Sequence, residues 1–139
     1  MATTVDRVPS HTSSAVNRRI RQDTDRNIAY YARHPQEIDE RLRELDREWD
    51  VERTLEANAA TVSVAAVLLG LTRSRKWFLL PGLVGGFLLQ HAIQGWCPPL
   101  PFFRRMGFRT QTEIERERHA LETLRNGAAR PRGRRGGEV

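Results

Sequence analysis

The chain has 139 residues, of which 29% are charged and 39% hydrophobic, and its formal net charge is +6. Its single cysteine excludes an intramolecular disulfide and any metal site built from several cysteines. The mean hydropathy is −0.58. The apolar residues are nevertheless concentrated between about residues 57 and 103, so the polar flanks lack the material of a conventional globular core.

The N-terminal segment, residues 1–33, is polar, rich in Ser, Thr and Arg, and shows no sustained hydrophobic periodicity. This composition predicts a largely disordered segment, with a short helix at most over residues 25–33. Pro35 then suits the first turn of a new helix.

Residues 34–56 form an acidic arm that holds nine acidic residues and four arginines. Ile38, Leu42, Leu45 and Trp49 recur at helical spacing, which predicts an amphipathic helix with one docked face. An acidic polar face is repelled by anionic lipid, so a helix lying on the membrane surface is disfavoured. No breaker follows the arm, and we expect its helix to continue into the next segment.

Two segments without charged residues, 57–72 and 77–97, predict transmembrane helices. A helix over residues 77–97 would extend roughly 31 Å, about the thickness of one hydrocarbon core. The first segment reaches only ~24 Å and would be a marginal span alone. It suits a hairpin with the stronger second helix, because the basic link 73–76 leaves room only for a tight turn. Burial as a helix of a soluble protein is the alternative.

The C-terminal third begins with a proline-rich, aromatic interfacial segment, residues 98–109. A capping-box pattern from Thr110 to Glu113 then predicts a helix over residues 110–126, with few apolar residues and weak docking. Residues 127–139 form a basic tail that we expect to be disordered. Nucleic-acid binding is not indicated, because no folded module or aromatic platform accompanies the arginines. Five arginines are predicted to contact lipid headgroups: Arg104, Arg105, Arg132, Arg134 and Arg135.

Small residues in both predicted spans suggest close helix packing. Gly82 and Gly86 form a G-x-x-x-G pattern with Gly85 alongside, and Ala66 and Gly70 give the first span a matching face. Small residues at this spacing let a second helix approach closely. The contact could lie within the hairpin or between two chains, and we predict a homo-oligomer.

The second span also carries three polar residues, Gln90, His91 and Gln94. An ionisable residue within a membrane span is a functional candidate by default, so His91 is the most unusual of them. A hydrogen-bonded structural histidine is the alternative interpretation. No Cys, Asp or second His stands beside it at ligand spacing, and neither a metal site nor a cofactor is predicted.

The distribution of basic residues predicts the orientation of the hairpin. The 73–76 turn offers three basic residues, whereas eight arginines lie close to the membrane on the side of the termini. Basic residues favour the cytoplasmic side, so both termini are expected there.

Four motifs stand out: ERTL at residues 52–55, WFLLPGLVGGFLL in the second span, GWCP at 95–98 and MGFRT at 106–110. Together they resemble the YgaP-like transmembrane domain, a two-helix bacterial inner-membrane module of unknown function. The Asn-x-Gly start of the family pattern is replaced by residues 48–50, and the segment between Cys97 and Gly107 is longer here. Some relatives carry the domain after a cytoplasmic rhodanese, a sulfurtransferase that has no counterpart in this sequence.

The association with rhodanese makes Cys97 a candidate thiol for sulfur chemistry. A nucleophilic thiol needs a depressed pKa, which comes from a helix N-terminus or nearby cations. Cys97 follows a helix C-terminus, whose partial negative charge disfavours the thiolate. A structural or interfacial cysteine is therefore favoured. No other catalytic constellation is present, and we do not predict an enzyme.

The sequence thus predicts an all-α protein: a two-helix transmembrane hairpin with helical cytoplasmic arms and disordered termini. We expect it in the bacterial inner membrane as a self-associating anchor or scaffold. Its partners would be the lipid bilayer, a second copy of the chain, and an unidentified membrane or cytoplasmic protein. The alternative is a membrane thiol component that handles persulfide sulfur or redox chemistry through Cys97.

Overall fold

The computed structural model of the protein describes residues 6–129. This part of the chain is helical and contains no strand, so the predicted all-α class is confirmed. Two short 3-10 turns, Pro35–Glu37 and Arg75–Phe78, accompany the helices. The helices are α1 (Arg7–Ser10), α2 (Ser14–Arg33), α3 (Ile38–Arg47), α4 (Val51–Thr72), α5 (Leu79–Gln94), α6 (Leu100–Met106) and α7 (Gln111–Ala129).

Helices α4 and α5 lie side by side and run antiparallel. At one end Gly70 faces the ring of Phe78, and a Cβ atom added to Gly70 would lie 2.9 Å from that ring. At the other end Glu52 and Gly95 line the same groove. Residues 73–78 provide the short connection that forces this arrangement.

The apolar side chains of α4 and α5 point outward. Leu71 is 72% exposed, Leu79 77% and Ile93 67%, although leucine and isoleucine are among the residues most often buried in soluble proteins. Further exposed apolar side chains on the two helices are Val64, Leu68, Leu83 and Leu89. A contiguous apolar surface of this kind is typical of a protein or membrane contact.

One stretch of the described residues, Pro35–Thr72, contains a helical window long and apolar enough to cross a membrane. That window lies in α4, which has 22 residues and extends ~33 Å. The predicted second span over residues 77–97 is shorter in the structure, because α5 has 16 residues and ends at Gln94. Gly95 then adopts a left-handed conformation with φ 71° and stops the helix.

Helices α2, α3 and α7 form an arm bundle beside the α4–α5 pair, with α7 packed against both α2 and α3. Its apolar core consists of Ile38, Leu42, Leu45, Ile114 and Leu121. Three residues of the predicted apolar stripe, Ile38, Leu42 and Leu45, therefore form the docked face of α3. Trp49 departs from it: α3 ends at Arg47, and Trp49 is 45% exposed under the guanidinium of Arg53.

A second apolar cluster lies at the base of the α4–α5 pair. It contains Val8, Val51, Leu55, Cys97 and Leu100, from α1, the start of α4, the segment after α5, and α6. Residue exposures there range from 0 to 5%. This base cluster packs α1 and α6 against the start of α4 and the segment after α5.

The composition predicted a largely disordered N-terminal segment. This prediction is wrong, because α2 covers Ser14–Arg33. The side-chain oxygen of Ser13 accepts a hydrogen bond from the Val16 amide and caps the helix. The buried residues of α2 are Ile20 and Thr24. Because the packed face of α2 consists partly of threonine and asparagine, the sequence shows no apolar periodicity there. This explains why the helix was not predicted.

The acidic arm is also not continuous with the first span. Residues 48–50 interrupt the helix, and Glu48 has an extended backbone with ψ 129°. Asp50 caps the new helix by accepting a hydrogen bond from the Arg53 amide at 2.7 Å. The Val51 amide donates to the carbonyl of Arg109 at 2.8 Å, which ties this break to the start of α7.

Helix α7 begins as predicted and then departs from the prediction. Both hydrogen bonds of the capping box are present: the Thr110 amide donates to Glu113, and the Glu113 amide donates to the Thr110 hydroxyl. The helix does not end before Gly127 but runs to Ala129. It also docks firmly rather than weakly, because Ile114, Glu117 and Leu121 are 0–2% exposed.

Candidate functional site

Arg104 of α6 lies where α2, α7 and the connection between α1 and α2 meet, and none of its surface is exposed. It donates two parallel hydrogen bonds to the carboxylate of Glu113, at 2.6 and 2.9 Å. It also donates to Asn17 Oδ1 at 3.0 Å and Thr12 Oγ1 at 3.2 Å. The predicted contact of Arg104 with lipid headgroups is therefore wrong, because its guanidinium is fully used within the protein.

A second buried ion cluster surrounds Glu117, which is also 0% exposed. One carboxylate oxygen of Glu117 accepts a hydrogen bond from Arg41 Nε at 2.9 Å, and the other pairs with Arg109. Arg109 in turn forms two bonds with Glu48, at 2.7 and 2.5 Å. Thr24 accepts a further hydrogen bond from Arg109. The cluster thereby links α2, α3, the 48–50 break and α7.

The carboxylates of the buried Glu117 and the partly buried Glu113 are both held in their charged form. Burial alone would raise the pKa of Glu117, but hydrogen bonds from Arg41 and Arg109 outweigh it and hold that pKa below its usual value. Burial opposes charge at Glu113 as well, and the hydrogen bonds from Arg104 and the Thr110 amide lower its pKa. These groups are structural ion pairs, and the pattern does not make either carboxylate a free acid or base.

Cys97 lies in the base cluster and is 3% exposed. It also borders an apolar cavity of about 170 Å³ between α4, α5 and α6, together with Leu55, Val62 and Phe87. Within residues 6–129, no group of three or more His, Cys, Asp or Glu side chains is placed to hold a metal ion. The thiol therefore lies in apolar surroundings, which disfavour a thiolate.

The predicted helix-packing residues divide into two sets. Ala66 and Gly70 are buried between α4, α5 and the turn, and Gly70 provides the space for the ring of Phe78. Gly82, Gly85 and Gly86 are exposed, and a Cβ atom added to any of them would meet no atom within 4 Å. The glycine face of α5 is therefore not used for packing within the described chain.

The three polar residues that were predicted to lie within the membrane are on the last two turns of α5. Gln90 and His91 are partly buried, whereas Gln94 is exposed. His91 lines a groove at the base of the helix pair, and its Nδ1 atom is buried without a hydrogen-bond partner in residues 6–129. Among these three residues, His91 alone has such an orphaned atom, within the described part of the chain.

The remaining predicted lipid contacts are less well defined by the structure. Arg105 is exposed on α6, and its backbone carbonyl accepts a hydrogen bond from Arg19 at 2.6 Å. Arg132, Arg134 and Arg135 lie outside the described residues. Lipid contact by these four arginines stays a prediction.

The buried ion clusters were missed by sequence reasoning, although one signal was available. Ile114, Glu117 and Leu121 stand at positions i, i+3 and i+7 of α7, so Glu117 interrupts an apolar helical face. A charged residue on such a face requires a buried partner. Its partners Arg41 and Arg109 are 76 and 8 residues away in sequence, and no local pattern identifies them.

Comparison with known protein families supports the membrane interpretation of the helix pair. Residues 50–113 match the family described as "Inner membrane protein YgaP-like, transmembrane domain". The matched segment starts at the capping residue of α4 and ends in the first turn of α7, and it covers just under half of the 139 residues. The resemblance inferred from sequence is confirmed over this segment. No match was found in the searches of curated proteins and of solved structures.

Proposed function

Taking residues 50–113 as a YgaP-like transmembrane domain, we propose that the chain is an integral inner-membrane protein that holds a folded helical bundle at the cytoplasmic face. In this proposal α4 and α5 cross the bilayer as a hairpin, while the arm bundle stays in water. The role is non-enzymatic: the protein is a self-associating anchor or scaffold whose arms present a surface to a protein partner.

The observation that carries this proposal is the division of the molecule into two surfaces. Large apolar side chains of α4 and α5 face outward, and residues 57–72 and 77–94 contain no charged side chain. Every ion pair in the described part of the chain lies outside these segments, in the arms and at the base. Water solvates the charged surface of the arms and base, whereas a hydrocarbon core favours the apolar surface of α4 and α5.

The length of the shorter helix is compatible with a hairpin that spans the bilayer. The 16 residues of α5 extend ~24 Å. The preceding 3-10 turn, Arg75–Phe78, adds ~8 Å at about 2 Å per residue. The combined reach of ~32 Å is close to that of α4 and to the ~30 Å hydrocarbon core. Trp77 and Trp96 then lie near the two ends, where interfacial aromatic side chains are enriched.

The open glycine face of α5 is the proposed contact between two copies. Because no residue of the described chain covers Gly82, Gly85 or Gly86, a second hairpin can approach the backbone there. This proposal needs no rearrangement of the α4–α5 contact, which uses Ala66 and Gly70 instead.

We expect the double substitution Gly82→Leu/Gly86→Leu to convert the oligomer into a monomer, because two leucine side chains would keep the partner helix away. The measurement is the mass of the protein–detergent complex by light scattering, with the detergent contribution subtracted. Ala60→Leu/Val64→Leu, a matched pair of exposed positions one turn apart on α4, is the control and should keep the oligomer. An unchanged mass in the glycine variant would remove self-association through this face.

The alternative function, sulfur or redox chemistry at Cys97, finds less support in the geometry. The cysteine is 3% exposed and packs among the apolar side chains of Val51, Leu55 and Leu100. A thiol that exchanges sulfur needs access to a partner and a stabilised thiolate. The anchor function uses Cys97 only as an apolar packing residue.

A further inference from the structure

A groove at the base of the helix pair, which we call the base groove, lies beside α1, the first turns of α4 and the last turns of α5. Its volume is about 360 Å³, within the range of small-ligand sites, and it is half open to the surroundings. The uncharged part of α4 begins at residue 57, one position beyond the groove. Its lining includes Arg7, Glu52, Glu56, Leu88, His91 and Ala92.

The cationic side of the base groove is held in place by a close backbone contact. Gly95 has φ 71°, and a Cβ atom added there would lie 2.4 Å from the Cβ of Arg7. Glycine therefore allows α1 to rest directly on the end of α5. The guanidinium of Arg7 donates to the carbonyl of Ala92 at 3.0 Å, which leaves its other donors for a ligand.

The anionic side consists of Glu52 and Glu56, one helical turn apart on α4. Both are exposed, and neither forms an ion pair or a side-chain hydrogen bond with any residue from 6 to 129. His91, whose Nδ1 atom is buried without a hydrogen-bond partner in residues 6–129, lines the same groove. One cation and two carboxylates that have no partner within residues 6–129 therefore line a space with an apolar wall at Leu88 and Ala92.

We propose that the base groove binds a phospholipid whose headgroup carries both a phosphate and a primary ammonium, the phosphoethanolamine type. The phosphate pairs with Arg7, and the ammonium donates hydrogen bonds to Glu52 and Glu56. The acyl chains follow Leu88 and the apolar surface of α5 into the bilayer. This inference rests on the proposed insertion of α4 and α5, which brings the groove to the level of the headgroups.

The chemistry of the groove selects this headgroup over the other common ones. A choline headgroup has the same charges, but its trimethylated nitrogen has no N–H to donate to the two carboxylates. A glycerol headgroup carries only the negative phosphate, which Glu52 and Glu56 repel. Arg7 alone would favour any phosphate, so the carboxylates are the residues that determine specificity.

The test is native mass spectrometry of the full chain in detergent with an equimolar mixture of three lipids. Their acyl chains are identical, and their headgroups are ethanolamine, choline and glycerol. Because only the ethanolamine ammonium can donate hydrogen bonds to the two carboxylates, we expect at least roughly tenfold more bound ethanolamine lipid than choline lipid. Equal retention, or preference for the glycerol headgroup, would overturn the proposal.

Two variants separate the roles of the charges. Glu52→Gln/Glu56→Gln should reduce the ratio of ethanolamine to choline lipid to about one, since the variant keeps the phosphate site. Arg7→Gln should instead lower retention of both lipids together. Glu40→Gln/Glu122→Gln and Arg43→Gln, which change charges outside the groove, serve as matched controls and should behave as wild type. Unchanged helicity by circular dichroism verifies that each variant is folded.

A further arm distinguishes a lipid from a soluble ligand with the same headgroup. Water-soluble phosphoethanolamine in millimolar excess should not displace the bound lipid, and displacement would overturn the assignment to a membrane lipid.

Sedimentation with vesicles distinguishes a failure of the proposed membrane insertion from a failure of the base-groove proposal. A chain that does not sediment with vesicles contradicts the membrane insertion itself. A chain that sediments but shows no headgroup preference contradicts only the base-groove proposal.

Discussion

At the scale of single residues, the arms are organised by two glutamates of α7, Glu113 and Glu117, which lie one turn apart. Each pairs with an arginine that also bonds to other elements: Arg104 reaches Asn17 and Thr12, and Arg109 reaches Glu48. Burying such charges is costly unless every partner is in place. The ion pairs therefore fix which helices meet, while the apolar contacts supply most of the driving force.

We predict that Glu117→Gln destabilises the arm bundle by about 3–5 kcal/mol, because it leaves buried arginine charge without its carboxylate. The measurement is urea unfolding of the full-length protein in detergent, followed by circular dichroism. Glu115→Gln on the same helix is the matched control. Its side chain is 44% exposed and pairs with Arg118 at 3.4 Å, so its removal should cost less than about 1 kcal/mol. Equal losses of unfolding free energy in the two variants would mean that the buried ion cluster contributes no more than an exposed ion pair.

The assignment of Arg104 shows where residue-level prediction fails. Arg104 follows an apolar segment, as a headgroup-binding arginine would, and only the fold brings Glu113 and Asn17 around it. Arg105, its neighbour, points outward on the same short helix. Sequence places both residues at the interface, but it does not determine which of them faces lipid.

At the scale of elements, the arm bundle and the α4–α5 pair differ in how far their stability depends on ionised carboxylates. The bundle contains the two carboxylates whose pKa values are lowered, whereas α4 and α5 have no acidic residue between residues 57 and 94. A carboxylate whose pKa is lower in the folded state stabilises the fold above its unfolded pKa. That contribution disappears as the pH falls through the folded value.

We therefore predict that acid unfolds the arms before the helix pair. The ordinary pKa of both glutamates is 4.5. Their stabilisation should be complete at neutral pH and should decline once the pH falls below that value. Circular dichroism of the detergent-solubilised protein should show a partial loss of helix in acid, with a residual signal from α4 and α5. Loss of all helix in one step, or none down to pH 2, would contradict this difference between the elements.

Periodicity predicted the elements that bury an apolar face and missed those that bury a polar one. Ile38, Leu42 and Leu45 identified α3, and the capping box identified the start of α7. Helix α2 was missed because its buried face includes Thr24 and uses Asn27 to reach Glu117 at 3.4 Å. The break before α4 was missed because it depends on the Asp50 cap and a long-range bond from Val51 to Arg109.

At the scale of the whole molecule, the chain separates an ion-paired, water-compatible bundle from an apolar helix pair. Hydropathy alone predicted that division, since it needs only the absence of charge over the two helices. The base groove between the two parts was not predictable, because Arg7, Glu52 and His91 belong to three distant parts of the sequence. The central claim is that the helix pair crosses the membrane while the arms remain at one face.

The most direct test is cysteine labelling of intact bacteria that express the full chain with Cys97→Ser, which removes the native thiol. Ser74→Cys reports on the turn between α4 and α5, and Thr123→Cys reports on the exposed side of α7. We predict that a membrane-impermeant maleimide labels Ser74→Cys in intact cells with a permeable outer membrane, and Thr123→Cys only after lysis. Labelling of Ser74→Cys only after lysis would show that the turn does not reach the far side, and would contradict the hairpin.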